Sequence, residues 1–145
     1  MTGTGTSFEE LSEARCHELL AGQTTGRVAW NAPDGPQVLP VSYAMDVGDI
    51  VFRTSPYGAL SQLRVRTNVA FEIDDIDAEH GTGWSVLVRG SAQAVLQPRQ
   101  LERLWSDEAT VPWAAGTRNL FIAITPRAVT GRIVRRPWSS PGADT

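Results

Sequence analysis

Apolar and polar residues alternate along most of this chain in short runs, and turn residues separate the runs, a rhythm that predicts a mainly β protein. The clearest run is "NVAFEIDDI", where Val69, Phe71 and Ile73 face one way and Ala70, Glu72 and Asp74 the other. Earlier, "GRVAW" begins a strand, "NAPDGPQ" is a turn, and "VLPVSYAM" is a second strand. "DVGD" reads as a tight hairpin connection to "IVFRT", which places Ile50, Phe52 and Thr54 on one face and Arg53 and Ser55 on the other. "AEHGTG" is a turn into the long strand "WSVLVRGSAQAVL", bent or bulged at Gly90. "LFIAITP" and "AVTGRIV" are the last two strands.

Helical spacing interrupts this pattern three times. Ser7-Phe8-Glu9-Glu10 fits a capping box, followed by Phe8, Leu11, Cys16 and Leu19 and ended by Gly22. A short helix is expected over 57–66, with Leu60 and Leu63 on one side, and another begins at Pro98 and runs through Leu101, Leu104 and Trp105. Six or seven hairpin-linked strands that do not alternate regularly with helices favour an antiparallel barrel with helices outside over a doubly wound parallel sheet. The 145 residues suit one domain, expected over 7–136 between Gly/Ser/Pro-rich mobile tails at 1–6 and 137–145.

Composition removes several chemistries. Cys16 is the lone cysteine, and His17 and His80 are the only histidines, so neither an internal disulfide nor a structural zinc site is expected. All 13 basic residues are arginine. Without lysine there is no Schiff-base nucleophile and no P-loop cation. The net charge of −3 speaks against nonspecific nucleic-acid binding. No apolar run reaches the ~18 residues of a membrane span, and the N-terminus lacks a secretory pattern, so a cytoplasmic protein is expected.

"FRTSPYGALSQL" brings an Arg and two hydroxyls off a strand into a Pro/Gly turn and a helical segment, an arrangement that can hold a phosphate. Arg53, Arg64 and Arg66 lie in a stretch free of acids, which also fits a solvated surface turn. Pro40 cannot donate to a ladder and marks an edge, a bulge or a split in the sheet, where a planar ligand can meet exposed backbone groups. The carboxylates of "EIDDIDAEH" read as the solvated face of a strand rather than a metal site. The five tryptophans suit core, interface or ring-stacking roles.

The ordered set "GRVAW…PQVLPVSYAMDVGDIVFRTSPYGALSQL…NVAFEIDDID…GWSVLVRGSA", spanning about residues 8–136, resembles the pyridoxamine 5′-phosphate oxidase-like, FMN-binding split-barrel family, and its small actinobacterial-type members in particular. The resemblance implies a six-stranded antiparallel split β-barrel and a homodimer with two FMN sites at its interface. Carried over by position, Pro40, Val41, Ser42 and Tyr43 lie along the isoalloxazine. Arg53, Thr54 and the Ser55–Leu60 turn hold the ribityl phosphate, and Trp84 and Ser85 reach in from the other subunit. Trp113 and Arg132 complete the set. Family members commonly carry a Lys just before a Leu in the phosphate turn; here Ala59 precedes Leu60.

No residue stands out as an acid, base or nucleophile, which suits a cofactor that does the hard chemistry. The resemblance therefore implies an FMN-dependent oxidoreductase, flavin reductase-like or nitroreductase-like, acting on a small-molecule substrate, with a deazaflavin as the alternative cosubstrate. A non-enzymatic flavin- or haem-binding dimer with a degenerate phosphate site is the competing reading, and Ala59 is the feature in its favour.

Overall fold

The computed structural model describes residues 7–106 and 119–135. Seven strands form one antiparallel sheet: β1 (Ser7–Glu10), β2 (Thr25–Ala32), β3 (Gly35–Asp46), β4 (Asp49–Thr54), β5 (Thr67–Asp77), β6 (Thr82–Ala94) and β7 (Leu120–Arg135). Their order is β1-β7-β4-β3-β2-β5-β6, and a further β7–β6 pairing closes six of them into a ring. The expected six-stranded barrel is thus present, with the short β1 added along β7.

Alternation along each strand fills the ring. Val28, Phe71, Ile73, Val86, Val88, Ile50, Phe52, Ile122 and Ile124 point inward and are fully buried. Tyr43 joins them, its ring edge-on to Phe71 at 4.9 Å and its hydroxyl donating to the Leu20 carbonyl at 2.6 Å. A 3₁₀ helix (Ala59–Arg64), shorter than the expected 57–66 helix, plugs one end of the ring with the buried Leu63 and the core-packed Leu60. Outside the ring, α2 (Pro98–Trp105) covers the outer face of β4 and β7 through Leu104, Val51, Phe121 and Ala123.

Two expectations about the chain ends are corrected. Ser7 does not cap a helix: Ser7–Glu10 pairs with the end of β7, and the Ser7 hydroxyl donates to the Arg135 carbonyl at 3.1 Å. The helix α1 (Glu13–Gly22) starts later, where the Ser12 Oγ accepts from the Arg15 N–H at 3.1 Å. Both serines are good caps, and only the free edge of β7, a tertiary feature, decides between them. Likewise "LFIAITP" and "AVTGRIV" are one continuous strand, because Pro126 falls at a bulge instead of ending the run.

That bulge is where the ladder between β6 and β7 slips, Arg89 pairing with Ala128 but Gly90 with Pro126, as the glycine signal foretold. A Cβ on Gly90 would lie 2.2 Å from the Thr125 carbonyl oxygen, and backbone cannot swing aside. Gly90→Ala is therefore expected to cost roughly 1–3 kcal/mol in denaturant titrations, the range of an overpacked site. Gly22→Ala, which meets open space, should stay within ~0.5 kcal/mol.

Candidate functional site

The ladder between β3 and β4 runs only from Asp46–Asp49 to Tyr43–Phe52. Beyond that point β4 stays with β7 through Arg53–Phe121 and Thr54–Leu120, while β3 stays with β2 from Ser42–Thr25 to Gly35–Ala32. The ring is split here, and residues 35–42 of β3 have strand pairing on one edge only. The Tyr43 N–H points toward β2, bonded to the Thr24 carbonyl at 2.9 Å. Successive backbone groups of a strand point to opposite edges, so the peptide groups of Val38, Pro40 and Ser42 face the open edge. Pro40 occupies a position where its missing donor costs no ladder bond. Of the four residues expected along a flavin ring, Pro40 is exposed and Ser42 half-exposed, whereas Val41 and Tyr43 are buried in the core and turn their backbone groups toward β2. Burial pushes the Tyr43 phenol up to about 12, so it stays a hydrogen-bond donor at neutral pH.

The expected phosphate turn begins at the same split. Thr54 is 4% exposed, inside the ring, and Ser55 Oγ accepts from the Tyr57 N–H at 3.1 Å. Tyr57, Gly58 and Ala59 are exposed, and Leu60 packs inward. Arg64 folds back over the turn, donating from Nε to the Ser61 carbonyl at 3.0 Å and from Nη2 to the Pro56 carbonyl. Arg53 lies on the face of β4 that alternation gave it. On the outer face of β4, its guanidinium stacks on Trp105 at 4.4 Å and on Phe121 at 5.4 Å. The helical pattern put Trp105 on the apolar side of α2, but its partner came from a strand that only the folded register brings near.

Trp84, Ser85 and Arg132 form a separate group. Ser85 pairs directly with Arg132 and Trp84 with Ile133, and the Arg132 guanidinium lies 4.7 Å from the Phe8 ring center. Trp113 lies outside the described residues. Phe121, the partner of Arg53, and Arg132, the partner of Ser85, are 11 positions apart on β7, roughly 35 Å of strand at ~3.3 Å per residue. Arg53 and Ser85 are thus apart along β7, whereas the β3 edge lies three strands from Ser85, through Ser42–Thr25, Arg27–Glu72 and Asp74–Ser85.

The Ser85–Arg132 pair lines a groove of about 560 Å³ that also includes Glu72, Leu87 and Arg89. Here the solvated-carboxylate reading needs correction for two residues. Arg27 of β2 donates from one nitrogen, Nη1, to Glu72 and to Asp74, each at 3.0 Å. Alternation places Arg27 outward, but nothing local announces that β2 lies beside β5. Partial burial and then Asp74 push the Glu72 carboxyl up to about 7, and Arg27 only partly offsets them. Asp75 and Asp77 are exposed, and Asp77 accepts from His80 at 2.6 Å. Among the described residues no group of three or more His, Cys, Asp and Glu could hold a metal ion, and no helix is long and apolar enough to cross a membrane.

Residues 12–133 match the family model described as pyridoxamine 5′-phosphate oxidase, and the chain belongs to that family. A solved structure of a candidate pyridoxamine 5′-phosphate oxidase from Corynebacterium glutamicum superposes with a TM-score of 0.76 at 27% identity, covering 91% of this chain and 96% of that one. An FAD-binding protein from Mycobacterium smegmatis gives 0.72 at 29% identity, covering 87% and 97%. An uncharacterized Mycobacterium tuberculosis protein is 35% identical over 132 residues, covering 86% of this chain and 85% of its own. The split-barrel fold is therefore shared with flavin-binding proteins.

Glu72 generates a pH test. Its carboxyl titrates near 7 in the folded chain against about 4.5 when unfolded, so between those values the folded state holds more protons. Its contribution to stability is complete below about 4.5 and is lost as pH rises through 7. A third-exposed side chain that shares charge with Arg27 and Asp74 should yield on the order of 1 kcal/mol. Denaturant midpoints between pH 5 and 8 should fall more steeply for wild type than for Glu72→Gln, and parallel curves would contradict the assignment.

Proposed function

We propose that this protein is a flavin-dependent oxidoreductase acting as a homodimer on a small-molecule acceptor. The observation that carries the reading is the split between β3 and β4, where an unpaired backbone edge ends beside a Ser/Pro/Gly turn. The residues fit a flavin. The pyrimidine edge of an isoalloxazine needs peptide donors and acceptors, and the Val38, Pro40 and Ser42 groups offer them in a row. The exposed Gly58–Ala59 backbone is open to a phosphate, and Arg64, already anchored on that turn, supplies a cation. Likeness to an FAD-binding protein supports the same cofactor class.

When bound, the flavin supplies two-electron transfer between a reduced donor and the acceptor. This chain's residues bind and orient it. The β3 edge fixes the ring plane, the turn fixes the phosphate, and the inward Phe52, Tyr43 and Leu63 keep water from the ring floor. A second copy supplies Trp84, Ser85 and Arg132. No side chain is required as general acid or nucleophile.

A deazaflavin in place of FMN is the alternative cosubstrate. Flavin binding without turnover is the second reading, and the specific observation behind it is Ala59, exposed at the turn where the family resemblance implies a lysine.

FMN added to the purified protein should give a shifted, quenched flavin spectrum, and flavin-loaded protein should oxidize NAD(P)H when an acceptor is present. Spectral binding without oxidation would favor the second reading, and no binding of any flavin would contradict both. Ala59→Lys should tighten FMN binding a few-fold to ~10-fold, about one charge-assisted hydrogen bond after ordering costs. Riboflavin, which lacks the phosphate, should be unaffected. Equal changes for both would place the phosphate elsewhere.

A further inference from the structure

A groove of about 590 Å³ runs along the outside of the ring, between the 3₁₀ helix, the ends of β6 and β7, and α2. One end holds Arg64, the residue anchored on the Pro56 carbonyl, so this end is continuous with the proposed phosphate turn. Arg66 lies beside it. Both arginines line the groove. Arg66 is exposed and forms no ion pair among the described residues. The middle of the groove is lined by the amides of Gln93 and Gln97, and the far end by Asp46 and Asp49 at the β3–β4 hairpin.

Charge varies along the groove: two cations nearest the turn, neutral hydrogen-bonding amides, and at the hairpin Asp49 beside the Asp46–Arg103 ion pair. Asp46 is held by Gln100 at 2.9 Å and Arg103 at 3.1 Å, while burial raises the Asp49 carboxyl above its usual range. That order suits a ligand that is anionic at the turn and uncharged beyond it, with hydroxyls for the far carboxylates to accept.

We infer that the groove takes the nucleotide half of a dinucleotide flavin, its second phosphate at Arg64 and Arg66 and its nucleoside along Gln93 and Gln97. The inference rests on the flavin reading above and narrows it: the groove favors FAD over FMN. Among the described residues it offers a long polyacidic tail no further free cation beyond Arg64 and Arg66, because Arg103 is already paired with Asp46.

The test measures binding of FMN, FAD and a polyglutamate-tailed deazaflavin to the full chain by fluorescence, for wild type, Arg66→Ala and Arg66→Lys, with folding verified by circular dichroism. Wild type should bind FAD more tightly than FMN. Arg66→Ala should weaken FAD about 3- to 10-fold, a partly screened cation–phosphate contact, and leave FMN unchanged, while Arg66→Lys should restore most of the loss. FMN binding as tight as FAD, or equal effects of Arg66→Ala on both, would overturn the inference and leave the flavin reading standing. Tighter binding of the tailed deazaflavin than of FAD, lost in Arg66→Ala, would overturn it in favor of an acidic tail. Failure to bind any flavin would overturn the underlying reading and this inference with it.

Discussion

β3 has 12 residues and β4 has 6, and the ladder between them ends at Tyr43–Phe52. That mismatch governs the rest of the molecule. Had β4 continued along β3, the ring would close as an ordinary barrel with no free backbone. Instead β4 follows β7 past the point where β3 departs, and the chain turns at Ser55 into the 3₁₀ plug. The open edge, the turn and the plug are consequences of one divergence. Leu63 and Leu60 fill the gap that the divergence leaves, and the Trp30 Nε1–H donates to the Gln62 side chain at 3.1 Å, tying the plug to β2.

In the proposed reading one chain covers the flavin through the β3 edge and the turn. Trp84 and Ser85 of β6 and Arg132 of β7 line a different part of the outer surface, and the homodimer proposed above would bring them over the flavin from a second copy. The Arg27–Glu72–Asp74 cluster lies on this outer surface, so its shared charge belongs to the face a partner would meet.

Much of the fold was legible in local pattern. The alternation of Val69, Phe71 and Ile73, the Asp-Val-Gly-Asp hairpin and the glycine bulge at Gly90 each have a local cause, and each is where the pattern placed it. Pro40 announced the split, because a missing donor is tolerated only where no strand follows. What could not be read depends on register. Ser7 and Ser12 are equal caps until β7 offers an edge, and nothing local announces that α2 brings Trp105 to Arg53. Arg27 looks like a solvated charge until β2 lies against β5. The turn residues were found by resemblance, but Arg64 stood out in the sequence only as one of three arginines in an acid-free stretch.

The central claim is that the unpaired edge of β3 receives the flavin ring. Backbone amide hydrogen exchange, followed residue by residue with and without bound FMN or FAD, tests it most directly. The Ser42 and Val38 amides should exchange quickly in the free protein and become protected on binding. The Tyr43 amide, already bonded to Thr24, should be slow in both. Saturating flavin that leaves Val38 and Ser42 unprotected would contradict the account and move the cofactor to another surface.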